Sequence, residues 1–242
     1  MKLLNILIYT DGSSRGNPGP GGWGAIIATK EMVTEIGEGD KHTTNNKMEL
    51  TSAIKSLEFV RDLGSAFTID MRADSRYVIN GITKWVFGWQ KNGWVNSQKK
   101  DVLNRELWEN LAEVTADLQM SGSKILWNYT PGHSGIPGNE RADEIATTFA
   151  DRVSPNLFKG SRSKYSLDLT SHAGDQKLPA IKKSKSKEKA YSYISLVNGK
   201  CMKHDTWVEC ERRVKGVPNV KFKKTRSADD ERQTMFLWKS NR

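Results

Sequence analysis

The chain has 242 residues, long enough for one large domain or two smaller ones, and carries 38 Lys+Arg against 28 Asp+Glu for a formal charge of +10. Residues 1–150 hold 16 basic against 18 acidic side chains, a net of −2, while residues 151–242 hold 22 against 10, a net of +12, the pattern of a near-neutral globular unit with a basic appendage suited to nucleic acid. No run reaches the roughly 18 apolar residues of a membrane-spanning helix, and MKLLNILIYTDG is too short for a cleavable signal peptide, so the expectation is a cytoplasmic protein that stays off membranes.

LLNILIYT, GWGAIIATK and MVTEIGEG are apolar-rich stretches separated by Gly and polar turns, and predict three consecutive strands. NNKMELTSAIKSLEFVRDLG follows as a helix, with Met48, Leu50, Ala53, Ile54, Leu57 and Val60 at helical spacing and Gly64 as its stop. AFTIDMRAD predicts a fourth strand, SRYVINGI a short helix, DVLNRELWENLAEVTADLQM a long amphipathic one, KILWNYTPG a fifth strand and GNERADEIATTFADR a last helix. Three strands followed by helix and strand alternation predict an α/β fold, a mixed five-stranded sheet flanked by helices.

From 152 to 189 the periodicity dissolves into Ser, Lys and Gly, a composition that predicts a flexible basic linker, with KKSKSKEK a solvated charge run. Periodicity returns at 191. YSYISLVNGK and KCMKHDT predict a hairpin around Asn198 and Gly199, WVECERRV a short helix, VKFKKT a strand and ADDERQTMFLW a closing helix, a small ββαβα domain over 190–242. Both cysteines, Cys201 and Cys210, fall here without a His/Cys cluster, which excludes a disulfide framework and a zinc site and leaves them as reduced thiols.

Four acidic residues stand where these elements end or begin: Asp11 at the end of the first strand, Glu49 in the first turn of the first helix, Asp74 at the end of the fourth strand and Asp143 in the last helix. Singly, each reads equally as a turn former or a helix-dipole partner. As a cluster, hard carboxylate oxygens suit Mg²⁺ or Mn²⁺ rather than zinc, and two such ions can support phosphodiester hydrolysis.

TDGSSRGNPGPGGWG (10–24), TTNNKMEL (43–50), ADSRYV (73–78) and PGHSGIPGNERADEIA (131–146) resemble, in order and with family-like spacing, the motifs of bacterial-type ribonuclease H of type I. The first motif lacks the lysine of a P-loop and opens toward a strand, which sets aside a nucleotide-binding loop. The resemblance spans residues 1–151. It implies that Asp11, Glu49, Asp74 and Asp143 are catalytic carboxylates holding two Mg²⁺ ions, with Mn²⁺ as a substitute. It implies further that the RNA strand of an RNA/DNA hybrid is the substrate, and that the products carry 5′-phosphate and 3′-hydroxyl ends. His133 matches the family's mobile histidine, and Glu140 a residue near its metal site.

Telling RNA from DNA requires contact with the 2′-OH, and Asn17, Asn45 and Asn46 match family positions that touch substrate, although Asn17 in GNPG is equally a turn residue. GITKWVFGWQKNGWVNSQKK resembles the family's basic protrusion: Trp85 would stack on the DNA strand while Lys84, Lys91, Lys99 and Lys100 meet phosphates, and Trp89 and Trp94 would pack against the body. Phe87, Gly88 and Asn92 stand where positive charge is common in the family. The C-terminal segment resembles a hybrid-binding domain of viroplasmin type, with Trp207 and Phe222 as stacking residues and Lys223 and Lys224 as backbone contacts. This implies binding of hybrid or double-stranded RNA by a monomeric protein. The rival reading is a non-catalytic hybrid or double-stranded RNA binder that keeps the fold, which intact carboxylates at all four positions oppose.

Overall fold

The N-terminal apolar run builds the centre of a mixed sheet in the computed structural model, which describes residues 4–169, 190–218 and 220–240. The chain divides into two units, residues 1–178 and 179–242. In the first, β1 (Leu4–Ser14), β2 (Gly19–Ala28) and β3 (Met32–Thr43) form an antiparallel meander, and β4 (Phe67–Ala73) and β5 (Lys124–Tyr129) add in parallel beyond β1.

Period-two alternation sends the side chains of β1 to opposite faces. Ile6 and Ile8 join a core with α1 (Asn45–Asp62) and α4 (Arg105–Met120), while Leu7 and Tyr9 join a second core under α5 (Pro137–Ala150). Helix α1 begins at Thr44, whose hydroxyl accepts from the Lys47 N–H, and ends before Gly64, at φ +67°. Between β4 and α4 run α2 (Arg76–Asn80), a π-turn over Gly81–Trp85 and α3 (Val86–Lys91).

The sheet has six strands rather than the expected five, in the order β5-β4-β1-β2-β3-β6. The addition is β6 (Lys159–Ser161), which pairs antiparallel with Met32–Thr34 of β3. It falls inside the expected linker. Its three residues, KGS, carry no alternation of their own, and the open edge of β3 supplies the pairing. The strap around it is anchored as well: Phe158, Tyr165 and Leu167 pack on the second core and Leu169 is buried in it. Residues 170–189, the remainder of the expected linker with its charge run, lie outside the described residues.

In the second unit β7 (Ser192–Val197), β8 (Lys200–His204) and β9 (Lys221–Thr225) form an antiparallel sheet of order β8-β7-β9, with α6 (Trp207–Val214) and α7 (Ala228–Ser240). Asn198 and Gly199 turn the hairpin with φ of 49° and 72°, and a capping box of Thr206 and Glu209 opens α6. The helices bond to opposite faces. Arg213 of α6 donates to Ser195 Oγ (2.8 Å), itself paired with His204 Nε2 (2.7 Å), while α7 offers Glu231 to Ser192 and Asp230 to Lys223.

Candidate active site

β1 runs past Asp11 to Ser14, so the carboxylate lies within the strand rather than at its end, at the level where parallel β4 stops at Ala73 and delivers Asp74. Glu49, the fifth residue of α1, reaches the same point because Gly12 has no side chain: a Cβ there would collide with the backbone of Met48 and Glu49. The Asp11, Glu49 and Asp74 carboxylates each place an oxygen so that all three lie within 4.8 Å of one another. The Asp143 side chain, from α5, comes within hydrogen-bonding reach of Asp11.

The electrostatics of this cluster are those of negative charge held against its preference. Burial, then the neighbouring Asp74 charge, push the Asp11 carboxyl up to about 8, although the Gly12 N–H donates to its Oδ1 at 2.7 Å. Glu49 is raised well above the carboxylate range by burial and then by Asp11 and Asp74. Asp74 is raised by burial and then Asp143, with Asn139 and the nearby His133 pulling the other way.

The expected substrate contacts are placed unevenly. Asn45 donates to Glu49 Oε1 (3.3 Å) and so orients a carboxylate, whereas Asn17, in the β1–β2 turn, and Asn46, in the first turn of α1, are exposed. His133 is exposed on the loop before α5 with φ 51°. The adjoining Gly132 lies so close to Asp74 that a Cβ there would sit 2.5 Å from Oδ2. Glu140 points back to the same loop and accepts from the Gly135 N–H at 2.9 Å, a cap on the turn. Asn139 was not anticipated: it is 2% exposed, its side chain lies beside Asp74 and opposes the rise of that carboxyl, and its Oδ1 has no partner among the described residues. Its spacing of four from Asp143 puts both on one face of α5, the signal that would have found it.

The protrusion forms an open groove of about 1080 Å³ whose lining includes Lys84, Trp85, Trp89 and Lys99. Lys84 donates to Asn80 Oδ1 (2.8 Å), and Lys91 and Lys100 are exposed outside the groove lining. Trp94 is buried and Trp89 is half-buried, with its ring 5.5 Å from that of Trp108, so both pack against the body as expected. The π-turn brings Gly81 onto the Trp108 ring, where no side chain fits.

In the C-terminal unit, Trp207 packs between Tyr193 and Phe222 with ring centroids 5.7 and 5.4 Å apart and ring planes tilted by 55°. Tyr193 was not anticipated. The register pairs Tyr193 with Lys224 and Ser195 with Phe222, so Lys224 shares the aromatic face. Lys223 does not: it turns to the opposite face, bonded to Asp230 (2.7 Å) and Thr234 (3.0 Å) of α7, because consecutive strand residues alternate.

This arrangement has relatives. Residues 4–151 match the family model for RNase H. The chain is 46% identical over 145 residues to a ribonuclease H of Bradyrhizobium diazoefficiens, covering 60% of this chain and 89% of that one. It is 48% identical over 144 residues to a ribonuclease H of Rhizobium etli, covering 60% and 90%. Among solved structures, LC9-RNase H1, a type 1 RNase H with the type 2 active-site motif, superimposes with a TM-score of 0.57 at 26% identity over 66% of this chain and 79% of that one. The RNase H domain of PFV does so with a TM-score of 0.52 at 25% identity, covering 64% and 99%. Sheet order, carboxylate cluster and sequence identity over 4–151 agree, and the chain belongs to the ribonuclease H family of hydrolases.

Proposed function

We propose that the chain hydrolyses the RNA strand of RNA/DNA hybrids at the cluster of Asp11, Glu49, Asp74 and Asp143, leaving 5′-phosphate and 3′-hydroxyl ends. The observation that carries this reading is the convergence of three carboxylates within 4.8 Å, with Asp143 beside them. Such a donor set fits hard divalent cations: it is all oxygen, and opposing positive charge would relieve the repulsion that raises Asp11 and Glu49. Two Mg²⁺ ions, or Mn²⁺ in their place, would be held by these four side chains and would supply the charge that favours water deprotonation and the departing oxygen.

The protein's own residues set the geometry. Asn45 donates to Glu49, and Asn139 stands beside Asp74 and favours its charged form. Hydrolysis forms a bond from water oxygen to phosphorus and breaks the bond from phosphorus to the RNA 3′ oxygen. His133, exposed at the rim beside Asp74, is placed to carry the proton that the 3′ oxygen takes up. Asn17 of the β1–β2 turn and Asn45 and Asn46 at the start of α1 serve as 2′-OH partners. Lys84, Trp85 and Lys99 of the groove grip the DNA strand, with Lys91 and Lys100 adding charge around it.

The second unit binds hybrid or double-stranded RNA on the face of Tyr193, Trp207, Phe222 and Lys224. Lys223 contributes to the helix packing of α7 rather than to that face.

Cleavage of a labelled RNA/DNA hybrid beside RNA/RNA and DNA/DNA controls, with Mg²⁺ and with EDTA, tests the catalytic reading. Hybrid alone is cut, and Asp11→Asn loses at least about a thousandfold in rate; cleavage of DNA/DNA alone overturns it. For the second unit, Phe222→Ala in the full chain weakens hybrid binding by about 1–3 kcal/mol in a filter or fluorescence titration. Unchanged binding in that variant removes the aromatic face from the account.

A further inference from the structure

The family match ends at residue 151, yet the strap beyond it fills a buried acceptor in the sheet. Glu35 of β3 is 4% exposed and its carboxylate is fully engaged. Oε1 accepts from Arg141 Nε (2.9 Å) and from the Tyr165 hydroxyl (2.7 Å). Oε2 accepts from Arg141 Nη2 (2.8 Å) and from the Phe158 N–H (2.9 Å). Four donors occupy the four lone-pair sites that a carboxylate offers, which is what a charge needs in order to be tolerated in a core.

Two of those donors come from α5 and two from the strap. The same guanidinium donates to the Asn156 carbonyl (2.8 Å), so Arg141 is fixed by sheet and strap together. Arg141 stands two residues before Asp143 and two after Asn139, the α5 residues that meet the carboxylate cluster. Leu169 adds an apolar anchor in the core that holds Ala142 and Ile136 of the same helix and its approach.

We propose that the strap 156–169 is a working part of the catalytic unit, and that Glu35 and Tyr165 are positioning residues that fix the rotation of α5 and with it the approach of Asp143 to Asp11. The inference rests on the proposed metal-binding role of the cluster and concerns how well the cluster is assembled, not which nucleic acid is cut. Loosening the knot at Tyr165 therefore weakens divalent-cation binding while leaving the fold and the turnover of the fully loaded enzyme in place.

The test uses the full chain. Tyr165→Phe removes one hydrogen bond and keeps the ring; Val114→Ala, in the core beneath α4, serves as a control of comparable destabilisation. Mn²⁺ affinity is read by calorimetry on the protein without substrate, and the Mg²⁺ concentration for half-maximal hybrid cleavage is read beside kcat at saturating Mg²⁺. Tyr165→Phe is expected to weaken Mn²⁺ binding about tenfold and to raise the half-maximal Mg²⁺ concentration in parallel, with kcat near wild type. Val114→Ala leaves both unchanged, and Glu35→Gln exceeds Tyr165→Phe because its amide nitrogen cannot accept, so two of the four donors lose their acceptor and the Arg141 charge its partner. Equal Mn²⁺ affinities for wild type and Tyr165→Phe, or an equal loss in Val114→Ala, overturn the proposal. Failure of wild type to cut hybrid strikes the catalytic reading alone, since the Mn²⁺ comparison stands without substrate.

Discussion

Asp11 must be ionised to hold a cation, in a place where burial and its acidic neighbours oppose ionisation. An acid raised to about 8 on folding takes up a proton as the chain folds, so the cost of its charge grows as pH climbs from the ordinary carboxylate value through about 8. In EDTA, Asp11→Asn is therefore expected to melt higher than wild type at pH 8, by on the order of 2 kcal/mol, or about 4–8 °C. The difference narrows at pH 5, where the wild-type carboxyl stays protonated, and calorimetry at the two pH values checks it. A variant less stable than wild type at pH 8 contradicts the repulsion argument. All four carboxylates could be read from sequence because each lies in its own motif. For Asn139 the one signal is its spacing of four from Asp143, which is easily passed over because a helix-start asparagine also reads as a cap. That Lys223 and Phe222 face apart was also legible, since neighbours in a strand alternate, and Lys223 bonds to Asp230 and Thr234 of α7.

At the scale of elements, the helices and strands with full periods were legible in kind and order, and α6 over WVECERRV to the residue, whereas β1 and β3 run four residues past the apolar stretches that announce them. What escaped were the pieces whose form comes from their surroundings. At the π-turn over Gly81–Trp85, Trp108 occupies the space a side chain at 81 would need, a contact between residues far apart in sequence. Gly81→Ala forces that ring or the turn to move, and is expected to cost about 1–3 kcal/mol in a urea melt. The same displacement carries Trp85, whose ring lies 6.4 Å from Tyr77 and 5.7 Å from Trp89, so hybrid affinity falls with stability. Stability within 0.5 kcal/mol of wild type, about the scatter of surface substitutions, contradicts this packing.

For the whole molecule, charge and chemistry lie in different stretches: the carboxylates sit in the near-neutral residues 1–150 and the excess of +12 lies after residue 150. Removing residues 170–242 is expected to lower hybrid affinity and flatten its dependence on salt concentration, because each lost phosphate contact removes about 0.9 from the slope on a duplex. An unchanged slope would mean that the C-terminal unit does not touch the substrate. Composition alone separates a near-neutral stretch from a basic one. The boundary of the first unit was not legible in it, because Tyr165 and Leu169 are isolated anchors in a stretch otherwise rich in Ser and Lys.

β6 has one more consequence. It covers Met32–Thr34 of β3, and Phe158 extends the cover to Glu35, whose N–H it accepts at 2.7 Å. Farther along, Glu38, Asp40, Lys41 and His42 are exposed and charged or polar, the usual guard on a bare strand edge. The stretch beneath β6 has no such guard: Met32 is exposed and Val33 is buried. A chain cut after residue 151 would leave that stretch open as a template for a second copy. Its light-scattering mass should then rise with concentration, whereas a chain cut after 169 should stay at one value, so the strap would act as protection against self-assembly.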